Sequence, residues 1–193
     1  DYLHSFMSTM TQKSDTIINY VLAAYFLLGL ALAFKYDTWE IGAGVGTLNL
    51  LAYYSAKFFL KNSKFYQYVL AFVLAIFMAQ YIYQMHGLFE MHFTVFIAST
   101  ILIIYQNWKL QIPLTLLVVG HHVALAYMQN FIYTDPKGIQ LYFSQVNFDL
   151  ETLIIHIVLA AVVFFMNGYW AYYFKTHSQN HISKISDEYE LEN

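Results

Sequence analysis

The chain has 193 residues, the length of a single domain. It is 59% hydrophobic and 20% aromatic but only 11% charged, far below the roughly 25% charged residues of a soluble domain. The net charge is −3 and every basic residue is a lysine, which excludes the basic surface that nucleic-acid binding requires. Cysteine is absent from the sequence, so disulfides and thiolate metal sites are excluded as well. These features are typical of a membrane protein.

Six apolar runs are long enough to cross a bilayer as helices, which takes about 20 residues each. They predict an all-α, polytopic bundle of six transmembrane helices, because lipid offers no partners to free backbone groups. The predicted spans are 16–34, 39–60, 65–84, 88–105, 112–128 and 150–174. Ser14 or Asp15 is expected to cap the first helix. Pro113 falls in the first turn of the fifth, where proline is tolerated.

The lysines predict the orientation of the bundle, because cytoplasmic loops are enriched in Lys and Arg. In a six-span layout seven of the nine lysines fall on one side, and only Lys35 and Lys137 fall on the other. Both termini are therefore predicted to be cytoplasmic. The turn that holds His86 and the long loop after the fifth span would then face the outside.

The polar ends of the chain predict segments that flank the membrane domain. Residues 1–14 are interpreted as an N-terminal cytoplasmic tail, 15–175 as the six-helix domain, and 176–193 as the start of a cytoplasmic linker. In this linker the spacing of Ile182, Ile185 and Tyr189 favours a coiled coil that leads to an output domain, and a frayed tail is the alternative.

A second pattern, Gly42-x-x-x-Gly46 in the second span, fits either a dimer contact or close packing within the bundle.

Ionisable side chains at the apolar runs are the strongest functional signal, since such residues are rare in membranes and usually face the bundle interior. They are His86, Glu90 and His92 in the motif M-H-G-L-F-E-M-H-F, His121 and His122 in the fifth span, and His156 in the sixth. At 1.5 Å per residue, the last four histidines lie about 6–12 Å from the outer ends of their spans. Imidazoles from three helices are thus predicted to converge in one metal site.

Several imidazoles with a carboxylate suit copper or zinc. Glu90 would accept the second ring N–H of a ligating histidine, and His121 and His122 project about 100° apart, so they are not expected to ligate in the same way. Haem b is the main alternative, because imidazoles on facing helices can ligate iron. A buried histidine can also be no more than a hydrogen-bond partner between helices. The remaining histidines are expected at the surface of the polar tails: His4, His177 and His181.

A membrane enzyme is the alternative from another class. A zinc hydrolase would need three protein ligands and an open position for water, with Glu90 as the base. Too few histidines are embedded for a di-iron enzyme, and the sequence shows no internal repeat of the kind that transporters carry. The chain is therefore predicted to bind and sense rather than to catalyse.

The features that define the motif are Glu90-x-His92-Phe93, Trp108 in a short turn, Pro113, the His121–His122 pair and His156. This arrangement resembles the N-terminal membrane sensory domain of bacterial receptors, and the resemblance covers residues 65–174. It implies a dimeric sensor in the bacterial inner membrane that binds copper and precedes a chemoreceptor, histidine-kinase or diguanylate-cyclase module. Members of that family often carry another Glu in the last helix, where this sequence has apolar residues at 162–165.

Overall fold

The computed structural model describes residues 2–129, 143–144 and 149–192. This part of the chain folds as six α-helices and three short 3-10 helices. The α-helices are α1 (Tyr2–Tyr36), α2 (Trp39–Phe59), α3 (Phe65–Gln84), α4 (Thr94–Ile101), α5 (Gln111–Tyr127) and α6 (Leu150–Glu192). The 3-10 helices are Phe89–Phe93, Leu102–Tyr105 and Trp108–Leu110. The loop predicted after the fifth span, with Lys137, lies almost wholly outside the described residues.

Several helices are long and apolar enough to cross a membrane. Within the described ranges they are His4–Tyr36, Phe65–Gln84, Trp108–Tyr127 and Leu150–Glu188. α2 has 21 residues but is not among them, and it carries the polar residues Glu40, Asn49 and Lys57. The predicted fourth span is broken, since α4 is only 8 residues long with a 3-10 helix on either side. The outward faces are apolar: Phe34 is 78% exposed and Phe165 is 76% exposed.

α3 is the central helix and contacts α1, α2, α4 and α5. Its apolar side chains are buried on almost every side, as expected for a helix that is hydrophobic all round. Its polar groups bond to backbone of α1: the Tyr81 hydroxyl donates to the carbonyl oxygen of Tyr25 at 2.6 Å, and Nε2 of Gln84 donates to that of Gly29 at 2.9 Å. Such bonds stabilise helix pairs where no water competes.

Glycines allow α2 to lie directly against α1. A Cβ built on Gly42 would be 2.8 Å from the carbonyl oxygen of Gly29, and one on Gly46 would be 2.9 Å from the ring of Phe26. The two glycines of the predicted G-x-x-x-G pattern therefore pack within the bundle.

Gly42→Ala is expected to lower the free energy of unfolding by about 1–3 kcal/mol, because the Gly29 carbonyl is backbone and cannot rotate away. Gly44→Ala is the matched control, since a Cβ there meets no atom within 4 Å. Alanine also has a better helix propensity than glycine, so the control should unfold at or above the wild-type temperature. Thermal unfolding of both variants in one detergent checks this, and equal midpoints would contradict the close approach.

α1 begins at Tyr2 and not after Ser14 or Asp15, so the predicted cap is wrong. Oγ of Ser14 lies 2.9 Å from the carbonyl oxygen of Met10 and 3.0 Å from that of Ile104. Ser14 therefore lies inside the helix and faces the segment that contains Ile104. The residues before Ser14 belong to the same helix.

Asp15 instead joins four elements through what we call the Asp15 cluster (Asp15, Lys57, Tyr66 and Tyr105). The hydroxyl of Tyr105 donates to Oδ1 of Asp15 at 2.6 Å, and that of Tyr66 lies 3.0 Å from both carboxylate oxygens. Nζ of Lys57 is 3.1 Å from Oδ2. One carboxylate thus ties together α1, α2, α3 and the 3-10 helix at Leu102–Tyr105.

α6 is a single helix of 43 residues, with no break at the predicted boundary after residue 175. The backbone N–H of Thr152 donates to Oδ1 of Asp149 at 2.7 Å at its start, and hydrogen bonding to Thr152 lowers the pKa of Asp149. At the other end Ile182, one of the positions predicted to form the coiled coil, is only 4% exposed. Residues of the same chain therefore already cover this side chain. The side chain of Tyr189 lies outside the described residues.

Candidate metal centre

Three histidines from three separate elements bring their rings together. The ring centre of His122 on α5 lies 5.2 Å from that of His92, in the 3-10 helix Phe89–Phe93, and 5.4 Å from that of His156 on α6. The centres of His92 and His156 are 6.1 Å apart. With a metal–nitrogen bond of about 2.0–2.1 Å, two rings that share one metal have centres roughly 5–6 Å apart. The three ring spacings are close to these values.

His121 extends the group. Its ring centre is 5.4 Å from that of His122, its neighbour in the sequence. It points to a different side of α5, as the 100° step of a helix requires. We call His92, His121, His122 and His156 the imidazole cluster.

Hydrogen bonds to the backbone orient two of the rings. Nδ1 of His122 is 2.8 Å from the carbonyl oxygen of Val118, and Nδ1 of His92 is 3.1 Å from that of Phe89. A carbonyl only accepts, so each Nδ1 carries the proton and each Nε2 of a neutral ring presents a lone pair. This is the arrangement in which histidines bind metals.

Two nitrogens of the cluster are buried without a hydrogen-bond partner: Nε2 of His92 and Nδ1 of His121. A buried polar atom left unpaired costs about 1–3 kcal/mol. Both nitrogens are therefore candidate donors to a bound ion.

A small cavity adjoins the rings of His92, His122 and His156, and its volume is about 10 Å³. That is at the lower limit of the space that one water needs. The rest of its lining is apolar, from residues such as Val95 and Val118. The cavity has room for an ion and not for a porphyrin.

The rings are not yet a formed coordination sphere. The described part of the chain contains no group of three or more His, Cys, Asp or Glu side chains arranged to hold a metal ion. The imidazole cluster brings the rings of several histidines close together, but their side chains are not arranged as a coordination sphere.

Two other residues predicted for the site, His86 and Glu90, are not among the rings that meet. His86 stacks on Tyr36, with ring centres 3.8 Å apart and planes 16° from parallel. It sits in the turn after α3 with a φ of +52°, and burial lowers its pKa. Glu90 is exposed, and the backbone carbonyls of Phe89 and Val118 occupy the role that was predicted for its carboxylate.

Two features of the site had weak or no signals in the sequence. Phe143 is packed against the rings of the cluster but comes from the loop before the sixth span, where aromatic residues are common. A polar group below the cluster joins α4, α5 and α6: Nδ2 of Asn167 donates to Oγ of Ser99 at 2.8 Å, and Oγ of Ser99 donates to Oε1 of Gln111 at 2.7 Å. Polar residues within two apolar runs (Ser99 and Asn167) and directly before a third (Gln111) could have indicated this group.

The chain is an all-α protein with several membrane-length helices and a buried group of imidazoles between them. Comparison with family models, curated proteins and solved structures finds no match to this chain.

Proposed function

We propose that this chain is a transmembrane sensory domain that binds a copper ion in the imidazole cluster and passes occupancy to a cytoplasmic output module. One observation carries the proposal: His92, His122 and His156 reach one buried place from three separate elements, at ring spacings of 5.2–6.1 Å. Nε2 of His92 is buried there without a partner. This nitrogen is a candidate ligand for the ion.

Imidazole donors favour copper or zinc among biological metals. Zinc in a structural site takes four ligands, and in a catalytic site three ligands plus water. The cluster is apolar on its other sides, and Glu90 is exposed rather than placed among the rings. A copper site with imidazole donors fits these surroundings better than a zinc hydrolase, which also needs an open position for water and a base. The cavity of about 10 Å³ favours an ion over haem b.

A six-span topology in a bacterial inner membrane is part of the proposal. The four membrane-length helices would be joined by α2, with 21 residues, and by the broken segment Phe89–Tyr105. An even number of crossings puts both termini on one side, and the lysine distribution makes that side the cytoplasm. The imidazole cluster then lies in the outer half of the bilayer.

The geometry of α6 supports a relay. His156 belongs to the cluster, Asn167 bonds to Ser99 of α4, and Nε2 of Gln106 lies 3.4 Å from Oγ of Ser178. If a bound ion turns the cluster rings toward one point, the packing of His156 against α5 changes. Since α6 is one unbroken helix, a displacement at His156 reaches its far end. A ligand shifts such an equilibrium only through its different affinities for the two states. We also propose that the chain forms a dimer in which α6 continues into the output domain.

Purified protein is expected to bind about one to two copper ions per chain, through borderline-soft imidazole donors. Elemental analysis after copper loading and desalting measures the stoichiometry, and an absorption spectrum of the protein as purified tests haem. A Soret band would show that the protein binds haem, and the copper proposal would be wrong. Loss of all copper on desalting, together with retention of zinc, would favour the hydrolase.

A further inference from the structure

Phe143 lies against three of the four rings of the imidazole cluster. Its ring centre is 5.4 Å from that of His122, 5.5 Å from that of His92 and 5.6 Å from that of His121. It is itself only 1% exposed. An aromatic ring in this place separates the imidazole nitrogens from whatever lies beyond it.

The backbone of Phe143 and Ser144 is seated on Gly87. A Cβ at Gly87 would lie 2.7 Å from the backbone nitrogen of Ser144 and 2.9 Å from the carbonyl carbon of Phe143. Gly87 also has a φ of +77°, where any other residue is strained. The N–H of Ser144 donates to Oε1 of Gln129, just beyond α5, at 3.1 Å. Two contacts thus hold Phe143 over the rings, and one of them admits only glycine.

We infer that Phe143 is an apolar cap that keeps water from the imidazole cluster, that Gly87 is the positioning residue of this cap, and that the capped site selects monovalent over divalent copper. The selectivity for copper rests on the proposed function. The position of Phe143 over the rings does not depend on it.

Two physical reasons connect a cap to the charge of the ion. Divalent copper prefers a tetragonal set of N and O ligands and zinc a fourth ligand, which an apolar ring and a cavity of about 10 Å³ do not provide. The cost of moving an ion out of water also grows with the square of its charge, and neutral imidazoles do not offset a second positive charge. A dry cluster of imidazoles therefore holds Cu(I) more readily than Cu(II) or Zn(II).

Competition with chromogenic chelators under anaerobic conditions tests the selectivity, using Gly87→Ala and the matched control Gly44→Ala. Wild type and Gly44→Ala are expected to hold Cu(I) in preference to Cu(II) and Zn(II). Gly87→Ala should bind Cu(I) about 10- to 100-fold more weakly, the range for lost support around metal ligands. Equal Cu(I) affinities in the two glycine variants would overturn the role of Gly87, and preference of the wild type for Zn(II) would overturn the selectivity.

Acylation of histidines by diethyl pyrocarbonate in the metal-free protein tests the cap without copper. His92 and His122 should react slowly in wild type and Gly44→Ala, and at least several-fold faster in Gly87→Ala and in Phe143→Ala. The Phe143 variant removes the cap without strain at Gly87, so it serves if Gly87→Ala does not fold. Unchanged reactivity in both variants would overturn the cap. A wild type that binds no copper, with reactivity as expected here, would instead remove the proposed function and the selectivity and leave the cap in place.

Discussion

Replacing His92 and His122 together by alanine is expected to abolish copper binding. These two rings provide the shortest separation in the imidazole cluster, 5.2 Å between centres, and their Nδ1 atoms are already held by backbone carbonyls. The loss should exceed the roughly 10- to 100-fold that removal of a supporting residue costs a metal site. Copper content after loading, desalting and elemental analysis is the measurement.

The matched control is the double variant His4→Ala and His181→Ala, because both of these histidines are exposed. It should keep the copper content of wild type. His122→Phe covers the case in which the double alanine variant does not fold, since phenylalanine fills the volume of the ring but has no nitrogen. Full copper content in either cluster variant would show that the metal is held elsewhere.

Asp15→Ala is expected to lower the free energy of unfolding by about 2–4 kcal/mol, because two tyrosine hydroxyls and an ammonium group lose their common acceptor. The side chains of Asp15 and Lys57 are 16% and 29% exposed. Their ion pair is therefore partly screened by solvent, and the larger share of the effect belongs to Tyr66 and Tyr105. In a chain of this size the midpoint of thermal unfolding should fall by roughly 5–15 °C.

Asp15→Asn and Asp187→Ala separate the causes. The asparagine keeps an oxygen that can accept from Tyr105 but loses the charge that faces Lys57, so its effect should be intermediate. Asp187 is exposed on α6, and its substitution should change stability by no more than about 0.5 kcal/mol. A midpoint for Asp15→Ala equal to that of Asp187→Ala would mean that the Asp15 cluster does not stabilise the bundle.

The sequence could predict the helices better than their ends. The runs at 39–60 and 65–84 correspond to α2 and α3 almost residue for residue, because an apolar run bounded by polar residues is a local property. The start of α1 was missed since Asp15 looks like a cap in isolation. The break in the fourth span was missed as well. The turn before it contains His86 and Gly87, both with positive φ, and the chain resumes in the tighter 3-10 form that carries His92.

The sequence could predict which histidines meet at the candidate site, but not which groups surround them. His92, His122 and His156 stood out because imidazoles are rare in apolar runs, and their similar depth in three spans was enough to expect them to meet. The partners of their nitrogens were not predictable. A carboxylate was expected from Glu90, but Glu90 is exposed, and the Nδ1 atoms of His92 and His122 bond to backbone carbonyls three and four residues away in the sequence.

By itself the sequence determined that this is an all-α chain with several membrane-length helices, and which imidazoles are embedded in them. Composition and hydropathy are sums over neighbours in the chain, so no tertiary structure is needed to read them. Only the tertiary structure decided that Tyr105 bonds to a carboxylate 90 residues away and that Phe143 rests on Gly87 over the rings. Such contacts depend on how separate helices approach, and a difference of an ångström in that approach makes or removes them.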